Sequence, residues 1–166
     1  MRKSICAWLF PMLLLAAPLL AQPGGGCQVK VRDAAAPNAD HGDFAATQVL
    51  DIALVVILSP STTGDHLVRL RVLAPSGNLY QELAVAFSGA STAGAPRSRT
   101  VAGYPRPLPV QAPRRDPGTG RPRVTATLPV AGTAIVSSSL YGQWRVEAYL
   151  DGASAPCDTA KFRLRS

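Results

Sequence analysis

Gln143-Trp144-Arg145-Val146-Glu147-Ala148-Tyr149-Leu150 alternates without a fault. Trp144, Val146, Ala148 and Leu150 share one face of an extended chain, and Gln143, Arg145, Glu147 and Tyr149 share the other. Side chains of a strand point alternately to its two faces, so the pattern reads as a strand with one face in a core and one in water. Asp151-Gly152 then supplies a turn.

The same period of two recurs outward from this stretch. His66 to Ala74 sets Val68, Leu70 and Val72 against Arg69 and Arg71, and Pro75-Ser76-Gly77-Asn78 ends it in a turn. Behind that turn Leu79, Gln81, Leu83, Val85 and Phe87 fall on one face, with Tyr80, Glu82, Ala84 and Ala86 on the other. Val124, Ala126, Leu128 and Val130 alternate with polar residues, a weaker segment surrounds Ile135, and Lys161 to Arg165 closes the chain around Phe162 and Leu164. Thr47 to Leu58 is apolar on both faces and ends at Ser59-Pro60-Ser61; its β-branched content favours a strand buried on both sides. No segment carries a helical stripe. Seven or so short strands predict an all-β fold, an antiparallel two-sheet sandwich over residues 47–166, after a polar lead-in over 22–46 and with an insertion over 88–122.

Leu140-Tyr141-Gly142-Gln143-Trp144-Arg145-Val146, with Tyr149-Leu150-Asp151-Gly152, resembles the penultimate strand of immunoglobulin-like, fibronectin-type and macroglobulin-type modules. Val72-Leu73-Ala74-Pro75-Ser76-Gly77-Asn78 is similar to a hairpin strand and turn of the same modules. The resemblance, to secreted bacterial modules of this kind, implies an immunoglobulin-like sandwich in which the Tyr141 hydroxyl bonds back to nearby backbone. The intersheet cysteine pair of antibody domains is missing, since Cys27 and Cys157 lie near the chain ends.

Arg2 and Lys3, the apolar run Ile5 to Leu20 broken by Pro11 and Pro18, and a small residue at Ala21 have the layout of a secretory signal peptide over residues 1–21. The expected location is periplasmic or secreted, with no transmembrane segment in the mature chain. Cys6 would leave with the signal, and the remaining pair, Cys27 and Cys157, reads most simply as one disulfide in an oxidising compartment. The rival is a lipid-modified Cys27; it wants an aliphatic residue three positions earlier, where Gly24 stands.

The net charge of +7 is concentrated. Arg97, Arg99, Arg106, Arg114, Arg115, Arg121 and Arg123 lie in one proline-rich stretch whose only carboxylate is Asp116. A long connection of this kind is usually functional or disordered, and its prolines favour extended polyproline geometry over Tyr104 to Pro113. Guanidiniums on such a strip suit phosphate or carboxylate, so these seven arginines and Tyr104 are the candidate contacts for an anionic protein or envelope component. Tyr104 is the one aromatic in the strip, too few for base stacking, and no specific nucleic-acid partner is expected.

The alternative of another class is a metal- or small-molecule-binding protein using His41, Asp43, Asp65 and His66, although nothing in their spacing demands a metal. Catalytic signatures are missing. There is no Gly-x-Ser-x-Gly elbow, no Ser-x-x-Lys, no His-Glu-x-x-His and no Cys-x-x-Cys. The sequence thus points to a non-catalytic binding or scaffolding module without a cofactor. Its charged edge strands, with Arg69 and Arg71 or Arg163 and Arg165, both discourage accidental pairing and leave a route for strand addition.

Overall fold

The computed structural model describes residues 26–36, 42–89 and 97–166; the signal segment and His41 lie outside them. Eleven strands and one short helix succeed one another in chain order: β1 Cys27–Asp33, β2 Asp43–Ala45, β3 Asp51–Leu58, β4 Asp65–Leu73, β5 Leu79–Ser88, β6 Ser98–Arg99, β7 Leu108–Gln111, β8 Arg114–Arg115, β9 Pro122–Pro129, α1 Ala134–Ser137, β10 Gly142–Leu150 and β11 Asp158–Arg165. They form an all-β sandwich. One sheet runs β1-β3-β9-β8, and the other runs β2-β11-β10-β4-β5-β7-β6. The long strands pair antiparallel, while the short β2 and β7 join β11 and β5 in parallel.

The core lies where the alternation puts it. Val29 and Val31, Ile52, Leu54 and Val56, Val68, Leu70 and Val72, Val124 and Leu128, Trp144 and Val146, and Phe162 and Leu164 meet between the sheets. Trp144 is fully buried, stacked on Phe162 and met edge-on by Tyr80. The apolar run of β3 is buried on both sides, as its composition implied. Ala53, Val55 and Ile57 form a separate cluster on the outer face. Arg32 and Lys30 stand beside Ala53 and Val55 in register. Their aliphatic stems cover apolar surface while the charged ends reach water or partners.

Several sequence readings are corrected. The lead-in over 22–46 contributes β1, an integral strand, because Val29 and Val31 supply a short alternation that pairs along β3. The segment around Ile135 is a helical turn, with Thr133 as its cap: the Thr133 hydroxyl accepts from the Ile135 N–H. Tyr80 turns inward instead of outward. A register irregularity where Val72 faces Gln81 and Leu73 faces Leu79 inserts an extra residue in β5, which reverses the facing at its start and leaves Leu79 exposed. The corner before β10 is tied by the Trp144 indole N–H, which donates to the Leu140 carbonyl at 3.0 Å. Among the described residues no hydrogen bond reaches the Tyr141 hydroxyl; its ring packs against the core instead.

Cys27 and Cys157 form a disulfide with Cα atoms 5.6 Å apart. It joins the start of β1 to the approach of β11. Beside it the Val29 N–H donates to the Asp158 carboxylate at 2.7 Å, which satisfies an edge group of β1. Among the described residues no helix is long and apolar enough to cross a membrane.

Candidate functional site

The arginine-rich stretch joins the sandwich through β6 and β7, and within Tyr104 to Pro113, where the sequence predicts polyproline geometry, Leu108–Gln111 is a strand. Val110 and Gln111 of β7 pair with Ala86 and Phe87, and β6 pairs with β7. The reason is apolar. Val101, Tyr104, Leu108 and Val110 cover Leu67 and Ala86 on the outer face of the seven-stranded sheet, so the stretch has surface of its own to bury. The chain then crosses to the other sheet at Ala112-Pro113 and pairs Arg114 with Arg123.

Asp116 organises the turn between β8 and β9. It is fully buried, and its Oδ1 accepts from the Gly118 N–H at 3.2 Å and from the Thr119 N–H and hydroxyl, both at 3.0 Å. Its Oδ2 stands 3.8 Å from the Arg32 guanidinium and 3.7 Å from that of Arg123. Burial pushes this carboxyl upward, but the Thr119 hydrogen bonds and the charges of Arg32 and Lys30 outweigh it and hold the group below its ordinary value. The Asp116-to-Arg121 turn is closed further by the Asp116 N–H donating to the Arg121 carbonyl at 2.8 Å.

Between this turn and the strand ends opens a cleft of about 570 Å³. Leu58, Pro60, Phe87, Pro113 and Pro122 give it apolar walls, and Thr62, Thr63, Ser88 and Thr119 are its hydroxyl residues. Arg114, Arg115 and Arg121 line it, and no carboxylate residue does. The Arg121 Nε–H donates to the Leu58 carbonyl at 2.9 Å and Arg115 donates to the Gly120 carbonyl at 3.0 Å. One wall depends on Gly89. Its N–H donates to the Gly64 carbonyl at 2.7 Å, and a Cβ there would run into the Thr62 carbonyl, so only glycine lets the β3–β4 turn close on β5.

The eight sequence candidates therefore separate. Arg114, Arg115 and Arg121 come together at the cleft. Arg97 pairs with Asp65 at 2.5 Å, and the Ser88 hydroxyl and Arg97 together hold Asp65 below its ordinary value. Arg99 in β6 and Arg106 are exposed. Arg123 turns to Asp116. Tyr104 is half-buried on the sheet, its hydroxyl enclosed without a hydrogen-bond partner among the described residues, and burial pushes that phenol up.

Of the metal candidates, His41 lies outside the described residues, and Asp43, Asp65 and His66 are each held by a different partner. Asp43 accepts from Arg165 at 2.7 Å, and among the described residues no three His, Cys, Asp or Glu side chains gather. Both nitrogens of His66 are engaged: Nδ1 lies 2.6 Å from Asp151 Oδ2 and Nε2 lies 2.7 Å from the Thr63 carbonyl, with the ring stacked on Phe87. Both partners are acceptors, so the ring serves them fully only as an imidazolium. Asp151, foremost, raises its pKa from the usual 6.5, and burial opposes this only in part. Sequence reading missed Lys30, Arg32 and the three hydroxyl residues Thr62, Thr63 and Ser88. No local pattern marks them, although Asp116-Pro117-Gly118-Thr119-Gly120 is a legible turn motif.

The sheets and core define a class, an all-β two-layer sandwich. No family model matches the chain, and no curated protein does. Among solved structures, a putative β-galactosidase from Bacteroides fragilis is similar over 88% of this chain and 16% of that one, at 10% identity and a TM-score of 0.34. The chain thus spans under a fifth of that protein's length.

Proposed function

We propose that this is an exported, non-catalytic binding module of the cell envelope, an immunoglobulin-like sandwich that holds an anionic partner at its arginine-lined cleft. The observation that carries the reading is the lining itself. Arg114, Arg115 and Arg121 line one concavity, and no carboxylate residue is among its walls. Forked donors of this kind suit carboxylate, sulfate or phosphate, and apolar walls reduce the screening of their charge. The disulfide supports an oxidising compartment, which agrees with the signal-like N-terminus. The small-molecule version has its own support, because the volume lies within the range of ligand pockets.

The test uses Arg114→Gln with Arg115→Gln, both exposed, in the otherwise intact chain. Crosslinked pull-down from a native envelope should recover a partner with the parent and lose it with the variant at unchanged thermal stability. Parent binding should also weaken steeply with salt. Identical recovery by both proteins overturns the reading.

A further inference from the structure

We propose that the free edge of β9 is a strand-addition site for an extended acidic segment of a protein partner. β9 is held by β3 along one side through the whole register from Asp51·Pro129 to Ile57·Arg123. On its other side β8 covers only Pro122 and Arg123. Residues 112–113 belong to no strand, and from Val124 onward β9 is hydrogen-bonded to no second strand among the described residues. A small groove of about 190 Å³, lined by Gln111, Ala112, Arg114, Arg123, Val124 and Thr125, marks the point of departure.

The register also says which groups are open. Antiparallel ladders alternate between hydrogen-bonded and non-bonded pairs. The Val130 N–H donates to the Leu50 carbonyl at 2.9 Å, in line with the β3–β9 ladder. Pairs in phase with it, Ile52·Leu128, Leu54·Ala126 and Val56·Val124, are therefore the bonded ones. Pro129, out of phase, has no N–H to give. From the other side, the Asp116 N–H bonds to the Arg121 carbonyl, in phase with Arg114·Arg123. Both sides agree that odd-numbered residues of β9 direct their N–H and C=O outward. Arg123 spends its pair on Arg114. Thr125 and Thr127, both exposed, are left with outward N–H and C=O groups that no described strand takes up.

Such an edge is a template for another strand, and main-chain bonding there needs only an extended partner. Charge selects the occupant. The entry to the edge is flanked by Arg114 and Arg123, and the one carboxylate at that end, Asp116, is buried beneath. Among the described residues Arg114 makes no ion pair. Two copies joined through this edge would bring strongly basic chains together. An incoming strand with carboxylates at the end beside Arg114 meets both the open backbone and the unbalanced charge. Arg114 borders both the cleft and this edge, but the open backbone of Thr125 and Thr127 belongs to the edge alone, so either reading can fail alone.

Amide hydrogen exchange on the free monomer should find Thr125 and Thr127 fast and Ala126 and Leu128 slow. The binding probe is a blocked seven-residue peptide of alternating threonine and valine opened by two glutamates, which stand beside Arg114 when the peptide lies parallel to β9. At saturation it should slow the Thr125 and Thr127 amides by about tenfold or more. Thr127→Pro removes an outward N–H that the β3 ladder does not use and should abolish this protection with the fold retained. A peptide N-methylated on its edge-facing amides gives the same loss without altering the protein. Slow Thr125 and Thr127 amides in the free monomer, a concentration-dependent dimer that protects them, equal binding by a lysine-opened peptide, or binding that survives N-methylation would each overturn the proposal.

Discussion

Replacing Asp116 with asparagine keeps the shape of the Asp116-to-Arg121 turn and removes only its charge. The Oδ1 acceptor for Gly118 and Thr119 is retained, while the atom facing Arg32 and Arg123 becomes an amide N–H₂. Arg32 is 6% exposed, so its cation cannot be handed back to water without opening the face of β3. Removing one partner of a buried pair costs about 3–5 kcal/mol when the geometry is close. Here the separations are 3.7 and 3.8 Å and the Arg123 side chain keeps 20% of its exposure, which argues for about 2–4 kcal/mol. With a urea slope of about 1.5 kcal/mol per molar, the unfolding midpoint should fall by about 1–3 M at unchanged slope.

The pH dependence provides an internal control. The Asp116 pKa is depressed in the fold, so its contribution is present above the ordinary value of 3.8 and is lost as pH falls through the lower folded value. Parent and Asp116→Asn should therefore differ most near neutrality and converge in acid. A midpoint shift below about 0.3 M near pH 7 would refute the charge pairing of Asp116 with Arg32 and Arg123.

Two more outcomes come from the same packing. The Cys27–Cys157 bond closes a separation of 130 residues, worth about 4–5 kcal/mol in the chain-entropy account, so reduction should lower the melting temperature by about 10–15 °C; a fall of under about 3 °C would contradict it. For His66, whose folded pKa is raised, the added stability is complete below pH 6.5 and disappears as pH rises through the folded value. NMR titration of its ring should show that elevation, and His66→Gln should flatten stability in that window. An unshifted His66 titration would refute the double-acceptor seat between Asp151 and Thr63.

The period-two pattern of Gln143 to Leu150, and its echoes at Val68 to Val72 and Val124 to Val130, determined the strands and their inward faces. Alternation is a local property of an extended chain and needs no knowledge of neighbours. The same holds for the Asp151-Gly152 turn and for the double burial of β3, written in its unbroken apolar run. What each arginine does was decided only in three dimensions. Arg32 and Asp116, or Arg97 and Asp65, meet because strands far apart in sequence stack in a particular register, and register is a sum over many contacts. Tyr80 turned inward for the same kind of reason, through one irregular pair between β4 and β5. The open side of β9 exists because β8 begins only at Arg114, so pairing along β9 on that side stops at Arg123. Composition marked that stretch as basic and proline-rich; tertiary packing made it part of the sandwich, drew three of its arginines into a cleft, and left one strand edge uncovered.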